Sequence, residues 1–259
     1  MTDISSQHVV RIERLSYQYP NGTLALDDVS FCVAEGEKVA VVGPSGAGKS
    51  TLLMHLNGLL PSKISAASDS QNTATVHIAG LSMAKEHLQE IRRRVGFLFQ
   101  DPDDQLFCPT VQEDVAFGPL NLGLSQDDVR KRVTESLKAV GLEDFEYRST
   151  LQLSLGERKR VCLAGVLACE PMVLALDEPS SNLDPRARRG LLEILRAFAG
   201  SQIIATHDLN FVVEHCDRVI VLDEGRVRAD GPPKSLLADA ELMERHGLEV
   251  PMRIRYSGG

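Results

Sequence analysis

The sequence of 259 residues contains no tryptophan, and no segment approaches the 18 consecutive apolar residues that mark a membrane-spanning helix. Its amino-terminal stretch also lacks the basic region followed by an apolar region that is typical of a secretion signal. We therefore expect a chain that neither crosses a membrane nor is exported. Any membrane role must come through a partner.

Paired cysteines and an excess of positive charge are also missing. The five cysteines are scattered without CxxC spacing, which favours reduced thiols over a disulfide framework or a zinc site. Acidic residues outnumber basic ones, 36 to 28, which gives a formal net charge of −8. Nucleic-acid binding requires clustered Lys and Arg, so we expect no nucleic-acid partner.

Short apolar runs separated by helical stretches indicate an α/β fold. Four runs of three or four residues are rich in Val, Ile and Leu, as buried parallel strands are: Val39–Val42, Val173–Leu176, Ile203–Ala205 and Val219–Leu222. Alternating patterns in Val9–Ile12 and Val29–Val33 predict an antiparallel edge that leads into the first buried strand, and so a mixed sheet.

The chain divides into a core lobe, an inserted helical lobe and a tail. Helix-period patterns between residues 101 and 170 predict a helical lobe, while residues 1–100 and 171–231 form the core lobe of the same domain. A short helical tail is predicted for residues 232–259. The segment Ser62–Ala74 is predicted to be a flexible surface loop without assigned function.

A glycine-rich motif follows the first buried strand and precedes a helix-forming run that begins at Thr51. It fits G-x-x-x-x-G-K-[ST] and consists of Gly43, Pro44, Ser45, Gly46, Ala47, Gly48, Lys49 and Ser50. Its backbone amides are expected to surround phosphate oxygens, with Lys49 at the β- and γ-phosphates and Ser50 on Mg²⁺. The alternative is a simple turn with a surface lysine, which chance alone gives in about one chain in a hundred. The flanking strand and helix favour nucleotide binding.

Two acids and a histidine follow later buried strands. Asp177 and Glu178 come directly after Val173–Leu176, at the carboxyl edge where open α/β sheets bind ligands. We expect Asp177 to bind Mg²⁺ and Glu178 to orient and deprotonate the attacking water. His207, just after Ile203–Ala205, is placed to donate a hydrogen bond to the γ-phosphate. An ordinary strand-ending turn is the alternative for the acid pair.

The order of these motifs resembles the ATPase subunits of ABC transporters from Val9 to about Pro233. The resemblance implies a P-loop NTPase core (RecA-like), with Gln100 as the glutamine that touches Mg²⁺ and Ser181–Asp184 as the D-loop at a dimer interface. Tyr19 resembles the aromatic residue that stacks on adenine, and Tyr17 is the competing candidate. Ser154 and Gly156 match two positions of the LSGGQ signature, which covers the γ-phosphate held by the opposite subunit. The same resemblance makes Glu178 and His207 catalytic.

The signature departs from the family pattern at Leu155 and Glu157. These two changes add bulk and charge near the nucleotide and make pairing with a second, differing ATPase an alternative to a homodimer. A non-catalytic nucleotide-binding regulator is a further alternative.

A narrower resemblance joins Gln100–Phe107 and Thr110–Pro119 to energy-coupling factor importers and their cobalt or nickel relatives. It implies ATP and Mg²⁺ as cofactors, an integral membrane partner, and a peripheral position on the cytoplasmic face of the membrane. Apolar Leu106, Phe107 and Val115 are candidates for the groove that receives a coupling helix. The expected function is ATP-driven import of cobalt, nickel or a vitamin. The alternative is a soluble ABC ATPase of repair, translation or cofactor assembly.

Overall fold

The computed structural model describes residues 8–61 and 75–255. The predicted loop Ser62–Ala74 and the last four residues of the predicted tail lie outside these ranges. The described strands are β1 His8–Gln18, β2 Leu24–Ala34, β3 Lys38–Val42, β4 Thr75–Ile78, β5 Leu81–Ser82, β6 Val95–Leu98, β7 Val173–Asp177, β8 Ser201–Ala205, β9 Arg218–Asp223 and β10 Arg226–Gly231.

The described helices lie between and after these strands. They are α1 Lys49–Leu56, α2 Leu88–Arg94, α3 Val111–Asn121, α4 Gln126–Ala139, α5 Leu155–Leu167, α6 Pro185–Ala197, α7 Leu209–His215, α8 Pro233–Leu236, α9 Ala240–Arg245 and α10 Met252–Arg255. Within the described ranges, no helix has the length and apolar character needed to cross a bilayer.

A six-stranded sheet forms the centre of the molecule, in the order β10-β9-β3-β8-β7-β6. Five of its strands are parallel, and β10 pairs antiparallel with β9 at one edge. Every residue of β7 and β8 is buried, because helices cover both faces of the sheet, and this explains their unbroken apolar runs. The predicted α/β fold with a mixed sheet is confirmed.

A second sheet contains the alternating segments near the amino terminus. It has the order β2-β1-β4-β5 and is antiparallel throughout. The sequence analysis predicted that these strands form an antiparallel edge of the central sheet. In the structure they form a sheet of their own instead. Val10, Ile12 and Val29 are almost completely buried and share one apolar core with α1, so α1 lies between the two sheets. This one-sided burial produces the alternation.

The helices α3, α4 and α5 follow β6 and precede β7. They pack in an apolar cluster that they share with one face of the central sheet and with α6, and to which α4 contributes the predicted positions Val129, Val133 and Leu137. The start of α3 is fixed by a capping box between Thr110 and Glu113. This inserted helical unit places the start of α5 at the surface, away from the centre of the main sheet.

The C-terminal tail (residues 232–255) folds back onto the central sheet. Leu237 and Met243 are almost completely buried against residues of β3, β9 and α7. His246 Nδ1 lies 2.8 Å from Asp223 Oδ2 at the end of β9. Because the tail packs in this way, the residues from Gly247 onward lie at the carboxyl edge of the parallel strands.

Candidate active site

The loop between β3 and α1 requires glycine at two close approaches. A Cβ atom on Gly43 would lie 1.9 Å from the carbonyl oxygen of Leu222, and one on Gly48 would lie 2.3 Å from that of Ala25. Gly48 also has a φ of 102°, in the left-handed region that favours glycine. The loop therefore packs with its backbone against β9 and β2, which fixes the start of α1.

Lys49 lies across the mouth of this loop. Its Nζ donates hydrogen bonds to the carbonyl oxygens of Gly43 at 2.8 Å and of Pro44 at 2.9 Å. Burial lowers the pKa of Lys49, and the carboxylates of Glu178 and Asp177 oppose that shift. The ammonium group of Lys49 is thus held by the loop carbonyls and attracted by two acids. An anionic ligand could replace its hydrogen bonds to the carbonyl oxygens with stronger, charge-assisted ones.

Asp177 ends β7 and faces Ser50 at the start of α1. Its side chain is 5% exposed, and burial is the main cause of its raised pKa, while a hydrogen bond from Ser50 lowers it. Asp177 Oδ1 is buried and has no hydrogen-bond partner in the described structure. An orphaned carboxylate oxygen beside a serine hydroxyl fits Mg²⁺, which binds few protein ligands and takes phosphate oxygens and water for the rest.

Glu178 is held in one orientation by the next strand. Its Oε2 accepts a hydrogen bond from Thr206 Oγ1 at 3.2 Å and lies 2.8 Å from His207 Nδ1. Glu178 adopts a φ of 46°, which is unusual for a residue other than glycine. Its side chain is almost buried, whereas that of His207 is 71% exposed. The pair therefore presents an oriented carboxylate next to an accessible imidazole.

A cavity of about 780 Å³ brings these residues together. It is lined by Gly43, Pro44, Ser45, Lys49, Glu178 and His207 from the predicted site, together with Ser181 and Asn182. The tail contributes Gly247–Met252 and Arg255 to its wall, which the sequence did not predict. The cavity thus collects the predicted phosphate loop, the predicted base and the histidine at one sheet edge.

The remaining residues of the phosphate loop and the first turn of its helix are not among the residues that line this cavity. Gly46 also has a positive φ, of 81°. Ala47 is buried and contributes its backbone only: its N–H donates to Pro44 and its carbonyl accepts from Gly225. Thr51 is buried in the first turn of α1.

The structure separates the two tyrosine candidates. Tyr17 is 6% exposed and packs edge-on against the rings of Tyr19 and His55, at centroid distances of 5.0 and 4.9 Å. Tyr19 is half-buried, and its hydroxyl lies 3.0 Å from Thr51 Oγ1 in α1. Tyr17 is therefore a core residue, and Tyr19 borders the phosphate loop.

Gln100 and the two signature residues also do not line the phosphate cavity. Gln100 is exposed just after β6. Ser154 and Gly156 line a separate cavity, also of about 780 Å³, together with Asn182, Leu183 and Asp184 of the D-loop. Asn182 lines both cavities, so the D-loop is their shared wall. A single chain thus presents a phosphate loop and a signature on different surfaces.

Lys159 is a residue that the sequence reasoning missed. It is 4% exposed in α5, and its Nζ contacts the carbonyl oxygens of Glu178 at 3.2 Å and Ser181 at 2.9 Å and the Ser181 hydroxyl at 2.9 Å. It therefore ties the signature helix to the turn that carries Glu178. A lysine on the apolar stripe of α5, in line with Leu163 and Val166, is a signal that could have identified it.

Comparison with known proteins identifies the family of the chain. The family model described as ABC transporter matches residues 26–181. The energy-coupling factor transporter ATP-binding protein EcfA of Methanothermobacter thermautotrophicus is 45% identical over 96% of this chain and 81% of its own length.

Two solved structures have the same fold. CbiO1 of Clostridium perfringens, part of the ABC transporter complex CbiONQ, is 37% identical with a TM-score of 0.78, covering 92% of this chain and 94% of its own. A dimeric ATP-binding cassette in a post-hydrolysis state, bound to ADP and Pi, is 29% identical with a TM-score of 0.74, covering 86% and 98%. The chain therefore belongs to the ABC transporter family, as an ATP-hydrolysing subunit of the EcfA and CbiO type.

Proposed function

We propose that this ATPase hydrolyses Mg²⁺-ATP between two ABC subunits that pair head to tail, and that it thereby energises solute import through an integral membrane partner. The observation that carries the proposal is the separation of the two cavities. The phosphate loop, Glu178 and His207 lie in one, and Ser154 and Gly156 lie in the other. Neither cavity has both halves of an ATP clamp, so a second subunit must supply the missing half.

In this proposal, the phosphate loop holds the triphosphate. Backbone amides of residues 43–51 and Lys49 bind the phosphates, since a helix start and an ammonium group both favour negative charge. Ser50, Asp177 and Gln100 would hold Mg²⁺, and the ion would supply positive charge to offset the charge of the phosphates. Tyr19 stacks on the adenine ring. We assign these tasks to one ATPase domain, residues 1–231, with the lobes predicted from the sequence.

Glu178 is the proposed general base. Hydrogen bonds from Thr206 and the His207 backbone, and the contact with the His207 ring, all converge on its Oε2. This arrangement leaves Oε1 as the oxygen that can accept a proton from water. His207, exposed at the cavity, is the proposed donor to the γ-phosphate.

A groove between the lobes is the proposed docking site of the membrane partner. It has a volume of about 200 Å³, and Phe107 and Phe117 form its apolar rim with an edge-to-face contact of 4.6 Å. Phe107 is 64% exposed and Phe117 is 46% exposed. Val115, a candidate from the sequence, is fully buried, and so it packs the helical lobe instead. Aromatic rims of this kind suit a short apolar helix.

The transported solute is proposed from the relatives. Their names place them in energy-coupling factor transport and in the CbiONQ complex, which favours cobalt, nickel or a vitamin. The chain would then sit on the cytoplasmic face of the membrane. The soluble ABC ATPase considered above has no specific observation in its favour.

Two measurements test the proposal. Glu178→Gln should lower steady-state phosphate release at least a hundredfold, since a positioned base contributes about 10²–10⁴-fold. Glu135→Gln, an equal change of charge on the exposed face of α4 and outside both cavities, should leave it unchanged. Retained turnover in Glu178→Gln would contradict the assigned base.

The transport part is tested with the intact complex. We expect the wild-type chain to co-purify from membranes with an integral membrane protein, and Phe107→Ala with Phe117→Ala to reduce that recovery. Uptake of labelled cobalt, nickel or vitamin should stop in cells carrying Glu178→Gln. Uptake that continues without turnover would refute the proposal.

A further inference from the structure

Glu157, the charged departure in the signature, forms a closed hydrogen-bond box with Ser154. Its Oε2 accepts a hydrogen bond from the Ser154 N–H at 2.8 Å and from the Ser154 hydroxyl at 2.7 Å. In return, the Glu157 N–H donates to Ser154 Oγ at 3.4 Å. The hydroxyl proton of Ser154 is therefore bound to a carboxylate within its own chain.

The same carboxylate changes the electrostatics at the start of α5. A helix start has free N–H groups and a partial positive charge that attract anions. Glu157 sits in this first turn and its pKa is lowered, chiefly by the hydrogen bonds with Ser154, so it carries a negative charge at neutral pH. Charge on Glu157 offsets the partial charge that a phosphate would otherwise meet.

Other residues of this cavity do not remove the restraint. Arg160, Arg186 and Arg189 line it and contribute positive charge, while Glu193 adds a second acid. Within the described hydrogen bonds, however, the Ser154 hydroxyl donates to Glu157 alone. A hydrogen bond to a charged acceptor is about twice as strong as a neutral one, so a phosphate must compete with a strong partner.

We infer that Glu157 is a positioning residue that holds Ser154 back from the γ-phosphate of the opposite subunit, so that two copies of this chain close weakly around ATP. The inference rests on the proposed head-to-tail pair. Glu157 restrains the half-site that this chain offers to its partner, and not its own phosphate loop. A pair with a second ATPase whose signature lacks this acid would have one unrestrained half-site.

The test measures ATP-driven dimer formation by analytical ultracentrifugation. The Glu178→Gln chain, with and without Glu157→Gln, is compared in Mg²⁺-ATP so that hydrolysis does not deplete the dimer. Glutamine still forms the capping box, with a neutral acceptor in place of a charged one. We expect Glu157→Gln to lower the dimer dissociation constant about tenfold. Glu193→Gln, in the same cavity, should change it less than twofold.

An unchanged or weaker dimer in Glu157→Gln, including a chain that stays monomeric in both variants, would overturn the inference. Binding of a fluorescent ATP analogue to the monomer is measured in parallel. If every variant binds the ATP analogue but Glu157→Gln leaves the dimer dissociation constant unchanged, the inference is refuted and the proposed function is not. Loss of binding in the parent chain would refute the proposed function and the inference with it.

A second comparison separates positioning from general charge. With Ser154→Ala in the background, the gain from Glu157→Gln should fall below about twofold, because the two residues act as one unit. A tenfold gain that survives would overturn the role through Ser154. Thermal unfolding should show that Glu157→Gln does not stabilise the fold, although its dimer is tighter. If Glu157 had a merely structural role, the stability of the fold and the affinity of the dimer would change in the same direction.

Discussion

Replacing Lys159 with methionine tests whether the signature helix controls the turn that carries Glu178. Methionine keeps the length of the side chain and removes its charge and its donors. The change leaves the buried carbonyls of Glu178 and Ser181, and the Ser181 hydroxyl, without the ammonium group that now contacts them at 2.9–3.2 Å.

The expected loss follows from these contacts. Each hydrogen bond from a charged donor contributes about 1.5–3 kcal/mol. The Glu178 carbonyl would keep the hydrogen bonds that it accepts from the Ser181 N–H and hydroxyl, which limits the loss. Burial lowers the pKa of Lys159, which means that the folded chain holds the charged form at some cost, and the methionine variant is relieved of it. The net fall in the free energy of unfolding should be about 2–4 kcal/mol.

Activity should fall as well, because Glu178 has a strained φ that its surroundings must maintain. We expect kcat for ATP to drop more than tenfold with little change in monomer affinity for ATP. Urea unfolding and steady-state phosphate release measure the two effects.

Lys131→Met is the matched control. Its side chain is 72% exposed on α4, so the change in unfolding free energy should stay within about 0.5 kcal/mol. A Lys159→Met chain as stable and as active as the wild type would refute the coupling between α5 and the Glu178 turn.

Three further predictions concern single residues. Gly43→Ala should abolish ATP binding in a fluorescence titration, because its Cβ would clash at 1.9 Å with a backbone oxygen, whereas Gly190→Ala, with open space around it, should bind normally. Asp177→Asn should raise the urea midpoint at pH 7 and abolish Mg²⁺-dependent turnover. A carboxyl group with a raised pKa destabilises the fold only when it is ionised. The gain in stability should therefore vanish below about pH 4. Burial lowers the pKa of His55 from 6.5 to about 4, so the folded chain binds fewer protons and loses stability as pH falls through that window. His55→Leu should reduce this loss by up to about 3 kcal/mol in pH-dependent unfolding, and an unchanged slope would contradict it.

The central sheet and the phosphate loop were predictable because their signals are local. Strands buried on both faces are apolar along almost their whole length, as in Val173–Leu176 of β7. The second sheet was not predictable as a separate layer. Alternation in β1 indicates that one face is buried, but it carries no information on whether α1 or the central sheet covers that face.

The finer features of the site depend on contacts between distant segments. The series Ser154-x-x-Glu157 is at once a signature fragment and a capping box, and only the structure gives the acid its hydrogen-bond partners. Lys159 reaches a turn some 20 residues further along the chain, at Glu178 and Ser181. The return of the tail rests on a few apolar side chains, among them Leu237 and Met243, whose partners lie in β3, β9 and α7.

The tail has a practical consequence for work with this protein. Gly247–Met252 and Arg255 form part of the wall of the phosphate cavity, so an affinity tag attached at or just after Arg255 would lie beside that cavity. Such a tag would alter measured ATP affinities without any change to the phosphate loop. β1 belongs to the antiparallel sheet and contributes no residue to the wall of this cavity, so its start at His8 is the better place for a tag or a fluorophore.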